Sequence, residues 1–385
     1  MERIALPNPS RLDWCRADRG MTLEQLAQAA GVAQSKLEAA LQGDAALTIT
    51  QLQKVATALD KGLLFFLEPQ DVNIATAHTP QFRTLANQKP EMSQNLRRLI
   101  ERVEKQRETY LYLRQELGDD IGIDAFTPPV LTSRLTIEKK AAVVRQWLGL
   151  QDAKNTFTSY RDAIETRGIL VIRSNGYAGP WQINKESSIF GFSLFDARCP
   201  VIVVKKQASE AQLCFTLMHE LAHVLLHKTS TIDEESDLYS YQGMEQEANA
   251  FAGFLLVPAA FLEAVDDRLR PSHVAEYEQW LAPQLKRWGV STEVVLRRLL
   301  DTQRLSKALY SEYRAWVKQR VIAPADGHAV RHRFSEPRHV FGNAYVRTVI
   351  GALSAREITL NKASSYLDNL KIDDLHKLEK FYANA

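Results

Sequence analysis

Residues 215–227, Phe-Thr-Leu-Met-His-Glu-Leu-Ala-His-Val-Leu-Leu-His, hold three histidines and a glutamate inside an otherwise apolar run. Folded as an α-helix, this run sets His219 and His223 one turn apart on one face, where both imidazoles can meet a single metal ion. Glu220, beside the first histidine, can then reach a water held by that metal. Phe215, Leu217, Leu221, Val224 and Leu225 require the helix to be largely buried. Buried imidazoles and a buried carboxylate are costly without a partner, so the fold must build a core around this helix and also satisfy its polar groups.

A chain of 385 residues with 45% hydrophobic and 24% charged side chains is long enough for two or three domains with real cores. Its formal net charge of +2 provides no global basic field, so any nucleic-acid or membrane contact has to rest on a local patch. Cys15, Cys199 and Cys214 are far apart and never paired as C-x-x-C, which argues against a disulfide framework and a thiolate metal site and fits a reducing, cytoplasmic setting. The first ten residues lack a signal-peptide core, and the longest apolar stretch, 251–265, is broken by Pro258 and Glu263. Neither export nor a membrane partner is expected.

The pattern predicts a mostly helical α+β protein. Residues 10–67 read as short helices with clear punctuation: Ser10 capping 11–19, Thr22 and Gln25 boxing 23–30 before Gly31, a third helix over 34–41, and a fourth over 51–59 after Thr50. Two short helices joined at a glycine form a helix-turn-helix unit. A proline-marked linker precedes an amphipathic helix over 93–117. Helical patterns at 137–148 and 157–166 then lead into three β-rich runs, 168–173, 189–194 and 201–204, which predict a small antiparallel sheet. After the histidine helix, 246–256 is a second apolar-periodic helix and the chain stays helical to about 320, with further helices at 344–353 and 367–382.

For the third metal ligand the sequence offers Glu245 and Glu247 on the helix that follows, on different faces. We expect Glu247, with Glu245 a solvated carboxylate nearer the polar loop and His227 a supporting histidine. Two histidines and one carboxylate leave a zinc ion a fourth position for water, the arrangement of a catalytic site. With Glu220 as general base, such a site is built for peptide-bond hydrolysis. Tyr239, Tyr241 and Arg161 are candidates for steadying the oxyanion, with none preferred.

Gly191-Phe-Ser-Leu194, Pro200-Val-Ile-Val-Val204, Phe215 to His223, Glu247-Ala-Asn-Ala-Phe-Ala252 and Leu255-Leu-Val-Pro258 follow in an order that resembles the ImmA/IrrE-like metallopeptidases of bacteria and their mobile elements. The resemblance covers about residues 135–300. It implies a gluzincin-like domain with His219, His223 and Glu247 as Zn2+ ligands and Glu220 as catalytic acid/base. Lys205-Lys206 departs from it, since relatives often carry Asn there. The N-terminal unit is similar to the XRE type of helix-turn-helix, and its joining to such a peptidase recurs in the family. The division implied is 1–70 helix-turn-helix, 71–130 linker and long helix, 131–320 metallopeptidase, and 321–385 helical C-terminal region.

Members of that family are typically regulators that cleave or control a partner repressor, or stand beside toxin genes. The resemblance therefore implies a protein partner encoded nearby, DNA through the helix-turn-helix, and a homodimer. The alternative is a non-enzymatic regulator or antitoxin that binds and neutralises its partner. Gln34, Ser35 and Lys36 would meet DNA at the start of the recognition helix. Residues 1–60 carry six Lys and Arg against seven Asp and Glu, however, which predicts weak DNA affinity and leaves dimerisation or partner contact as the competing role. A second basic area, Arg331, His332, Arg333, Arg338, His339 and Arg347 with Phe334, Phe341 and Tyr345, reads as a solvated face with its aromatics turned inward or as a single-strand nucleic-acid surface.

Overall fold

Threonine caps start two of the four N-terminal helices. In the computed structural model, which describes residues 2–59, 61–72, 85, 92–118, 126–150, 156–174, 179–184, 186–207, 209–234, 236–237, 242–320 and 333–383, α1 is Ser10–Asp18, α2 Leu23–Ala30, α3 Gln34–Leu41 and α4 Ile49–Ala58. Thr22 and Gln25 form the expected box, and Gly31 ends α2 at φ 60°, a left-handed value that glycine adopts without strain. Two starts differ from expectation. Thr48 caps α4 in place of Thr50, because Thr48 and Gln51 bond each other's backbone N–H. Ser10 caps nothing; its hydroxyl is turned to Asn8 and Asp71.

The chain divides into two compact units, 1–86 with 90–98 and 87–89 with 99–385. The first closes over Leu12, Leu26, Leu37, Leu52, Val55 and Phe66, all fully buried. Of the linker, Pro80 to Arg83 lies outside the described residues. Helix α5, Gln94–Glu116, begins in the first unit and continues in the second.

The second unit opens with α6 (Ile137–Trp147) and α7 (Phe157–Glu165), each capped by a threonine hydroxyl. Strands β1 (Leu170–Arg173), β2 (Ile189–Leu194), β3 (Val201–Val204) and β4 (Thr231–Glu234) form one sheet in the order β1-β3-β2-β4. The expected antiparallel sheet is corrected here to a mixed one. β2 pairs antiparallel with β3 and β4, but β1 and β3 are parallel, because the chain passes through β2 on the far side of β3 before returning. β4 was not anticipated: Thr-Ile-Asp-Glu is too short and too polar to show an alternating pattern.

Helix α8 (Glu210–Ala222) carries the histidines, packs against β2 and β3, and widens into a single π turn over His223–His227. Helix α9 (Gly243–Leu256) lies between α8 and α6. Leu213, Leu217, Leu221, Phe251, Ala252 and Leu255 are the centre of the core they share. Beyond them follow α10 (Ala259–Leu262), α11 (Tyr277–Trp288), α12 (Thr292–Asp301) and α13 (Lys307–Gln319).

The C-terminal region comprises α14 (Glu336–Ser354), α15 (Leu360–Tyr366) and α16 (Ile372–Ala383). The single helix expected over 367–382 is interrupted where Asp368 and Asn369 take positive φ. Buried Arg161 ties this region to α7 by donating to the carbonyls of Arg338, His339 and Val340, while Glu165 accepts from Ala344 N at 2.9 Å. Burial, opposed by Arg161, pushes the Glu165 carboxyl up to about 6. Gly342, at φ 82°, kinks α14 against this pair, and a Cβ there would run into the Glu165 carboxylate.

Gly342→Ala is therefore expected to destabilise the protein. Overpacking and a disfavoured φ each cost about 1–3 kcal/mol, which corresponds to a fall in Tm of roughly 5 °C or more. Calorimetry checks this; an unchanged Tm would show that α14 does not pack on α7 in this way.

Candidate metal centre

Four ionisable side chains converge where α8, β4 and α9 meet. His219 and His223 project from α8 as the spacing predicted, with their Nε2 atoms 3.1 Å apart. Asp233 Oδ2 of β4 lies 3.5 and 3.4 Å from these two nitrogens, and Glu245 Oε2 of α9 lies 3.2 and 3.6 Å from them. Ligand bonds of about 2.0–2.2 Å in a tetrahedron give edges of about 3.3 Å. The five separations among these atoms that involve an imidazole nitrogen, 3.1–3.6 Å, thus match the edges of one tetrahedral site, and all four atoms lie within 4.8 Å of one another.

The electrostatics call for the same cation. Both oxygens of Glu220, Asp233 Oδ2 and Glu245 Oε2 are buried and, among the described residues, accept no hydrogen bond. Burial first, then the carboxylates of Asp233, Glu245 and Asp237, hold the Glu220 carboxyl well above its usual range. His219 is pushed up to about 9: burial lowers it, but Asp233 and Glu245 outweigh burial. Carboxylates and imidazoles crowded at such distances are balanced by a shared positive charge at their centre.

Both imidazoles are aimed by their second nitrogen. His219 Nδ1 lies 3.0 Å from Asn249 Oδ1, and the Asn249 amide itself donates to the Asp237 carbonyl at 2.9 Å. His223 Nδ1 lies 3.0 Å from His227 Nδ1. Partners at Nδ1 leave both Nε2 lone pairs directed at the cluster. Gly191 on β2 makes room for Glu220: a Cβ there would collide with Glu220 Oε1.

The expectation that Glu247 completes the ligand set is corrected by this geometry. Glu247 is half exposed and faces His227 Nε2 at 3.4 Å, outside the cluster, while Glu245 enters it. The signal was in the helix period. Glu245 continues the buried stripe of Ala248, Asn249, Ala252 and Leu255, and Glu247 falls on the other side. His227 does support His223, as expected. Asp233 and Asn249 were missed: Asp233 belongs to a strand with no pattern, whereas Asn249, four residues after Glu245, could have been found from that spacing.

Of the oxyanion candidates, Arg161 is committed to the α14 carbonyls, and Tyr239 and Tyr241 lie outside the described residues. Lys205 donates to the Ser187 carbonyl at 2.6 Å beside β2. In the N-terminal unit, Gln34 and Ser35 are exposed and Lys36 is half exposed at the start of α3, with Gln34 bonded to Glu38 at 2.8 Å. Arg11 is paired with Glu68 and Arg16 with Asp13, each at 2.6 Å, so two of the few cations there are already matched. In the C-terminal basic area Phe341 and Tyr345 are buried, and Arg338 stacks 3.9 Å over Phe381; Arg331 and His332 are outside the described residues.

Two family models match the chain. Residues 181–300 match Peptidase M78, the IrrE N-terminal-like domain, and residues 12–66 match a helix-turn-helix family. His219, His223, Asp233 and Glu245 all lie within the residues that match the IrrE N-terminal-like model. The chain thus joins a segment similar to a helix-turn-helix unit to a segment similar to the IrrE N-terminal-like domain. A relative, "Uncharacterized immunity region protein 2" of Bacillus phage phi105, is 37% identical over 81 residues, which are 20% of this chain. The match spans 50% of that relative's length. No solved structure matches the chain. Among the described residues, no helix is long and apolar enough to cross a membrane.

Glu245→Gln should weaken metal binding by roughly 100-fold or more, and Asn249→Ala by about 10–100-fold through loss of His219 orientation. Glu247→Gln should change it by less than about 10-fold. Competition against a chromophoric chelator measures all three, and equal losses for Glu245→Gln and Glu247→Gln would contradict the assignment.

Proposed function

We propose that this chain is a zinc-dependent regulatory endopeptidase that acts, in the cytoplasm, on one protein partner: a repressor or toxin-linked protein of a phage-like, stress-response or defence locus. The observation that carries this reading is the juxtaposition of buried, unpaired Glu220 with a four-donor cluster at tetrahedral spacing inside the peptidase-like domain. His219, His223 and Glu245 would hold the zinc, whose chemistry when bound is to activate water and polarise a carbonyl. Two imidazoles and a carboxylate suit zinc better than magnesium or calcium, which prefer oxygen donors.

The remaining work falls to the chain's own residues. Glu220 would take a proton from water and return it to the leaving amine. Asn249 and His227 keep the imidazoles in register. A cavity of 410 Å³ flanks α8, lined by Phe190 of β2, Phe215 and Thr216 of α8 and Tyr310 and Tyr313 of α13, and offers an apolar seat for a substrate side chain next to β2. Restriction to one partner is supported by the helix-turn-helix unit and by the relative's name, which speaks of a phage immunity region. The free, buried cysteines fit a reducing compartment.

Glu220→Gln tests this reading, because it should retain zinc stoichiometry while cleavage of the partner falls by about 10³-fold or more. The candidate partners are the products of adjacent genes, incubated with the purified protein and examined by mass spectrometry. A partner that is bound and neutralised but left intact, equally by wild type and Glu220→Gln, would replace the peptidase reading with that of a non-enzymatic antitoxin.

A further inference from the structure

Asp233 stands where the reaction needs water. Its Oδ2 is as close to the two imidazole nitrogens, at 3.5 and 3.4 Å, as Glu245 Oε2 is at 3.2 and 3.6 Å. The same carboxyl also faces Glu220, the proton acceptor. A water able to react would have to lie between the metal and Glu220. Asp233, whose side chain is only 3% exposed, offers a fourth donor at the position beside the two imidazole nitrogens that a water would otherwise take.

The strand that carries it is a short edge. β4 is four residues long and is bonded on one side only, to β2, with a register shift between Ile189 and Gly191 just where Asp233 pairs with Gly191. Side-chain ties of this segment among the described residues include Thr231 to Ser193 at 2.9 Å, Ser230 to the Phe195 N–H at 2.9 Å and Asp237 Oδ2 to the Glu234 N–H at 2.8 Å. While β4 is in place, it occupies the β2 edge to which an extended peptide could otherwise add as a strand. One four-residue segment therefore obstructs both the water position and the sheet edge.

We propose that Asp233 is a built-in fourth metal ligand that keeps this site latent, and that the site opens only when β4 leaves the edge of β2. This inference rests on the metal-site reading above and adds its regulation. Three protein ligands leave an open position, and four close the tetrahedron. The occupant that displaces β4 is an extended segment of the protein substrate, which takes over the β2 edge as Asp233 withdraws.

The test uses the full chain loaded with Co2+, whose visible bands report coordination, with acetohydroxamate as the probe for an open position. Wild type should bind one Co2+ with the intense bands of a tetrahedral site, and those bands should be insensitive to acetohydroxamate. In Asp233→Ala and the shape-conserving Asp233→Asn, acetohydroxamate should shift the bands with an affinity at least roughly tenfold higher than in wild type. Wild-type protein whose bands shift at the same acetohydroxamate concentration as the variants would overturn the latch while leaving the metal site standing. If neither variant folds, wild-type bands that shift on addition of excess acetohydroxamate overturn the latch on their own, and wild-type bands that stay unchanged support it. Failure of wild type to bind Co2+ at all would overturn the metal site, and the latch with it.

Discussion

The domain is organised by the need to satisfy Glu220 and four further ionisable groups, His219, His223, Asp233 and Glu245, at one largely buried point. His219, Glu220 and His223 are fully buried, next to the core residues Leu213, Leu217, Met218, Leu221 and Ala222 of the same helix. Left as polar groups in an apolar interior they would cost several kcal/mol, comparable to the net stability of a domain. A shared cation would turn that cost into a structural constraint, because its ligands come from α8, β4 and α9. The rest follows from holding them there: Asn249 and His227 at the far nitrogens, Gly191 bare of a side chain beneath Glu220, and a π turn where the ligand helix runs on into His227.

How much of this was legible depended on periodicity. The spacing of His219 and His223 is fixed by the α-helix itself, so their convergence could be read directly. β2 and β3 are legible to the residue because β3 is a continuous buried run of Val and Ile and β2 is rich in apolar and aromatic side chains, Ile189, Phe190, Phe192 and Leu194. Glu245 was misjudged because exposure of a glutamate was weighed by residue type and not by helix face; its stripe with Ala248, Asn249 and Ala252 was the better guide. Asp233 was beyond reach, since its place in the cluster is made by tertiary pairing of β4 with β2 and leaves no local pattern. The parallel pairing of β1 with β3 was hidden for the same reason: direction within a sheet is a property of the path between strands.

Capping errors in the N-terminal unit have a similar origin. Thr48 and Thr50 are both hydroxyl residues near the start of α4, but only Thr48 stands three residues before Gln51, so only it closes a reciprocal box. Ser10 loses its capping role to a tertiary partner, Asp71, more than sixty residues away. Charge was the more dependable guide. The near balance of acids and bases over residues 1–60 is sharpened by the fold, which commits Arg11 to Glu68 and Arg16 to Asp13 and leaves Lys36 as the cation beside the two exposed recognition-helix positions. Phosphate neutralisation would therefore contribute little from one copy of this unit, and selective targeting of the chain is better served by protein contact or by pairing of two copies.

An edge-strand latch also has a balanced energetic logic. Replacing β4 by a substrate strand exchanges one short ladder for another, and since each hydrogen bond contributes about 0.5–1.5 kcal/mol net, the exchange of main-chain bonds is nearly neutral. What is lost without replacement is the contact of Asp233 with the cluster. A segment that offered only backbone could not offset that loss, whereas one that also filled the cavity beside Phe190 and Phe215 could, at about 25 cal/mol for each Å² of apolar surface it buried. Selectivity would then reside in the opening step: only a partner with the right side chain for that cavity would free the water position, so that recognition and activation would be the same event.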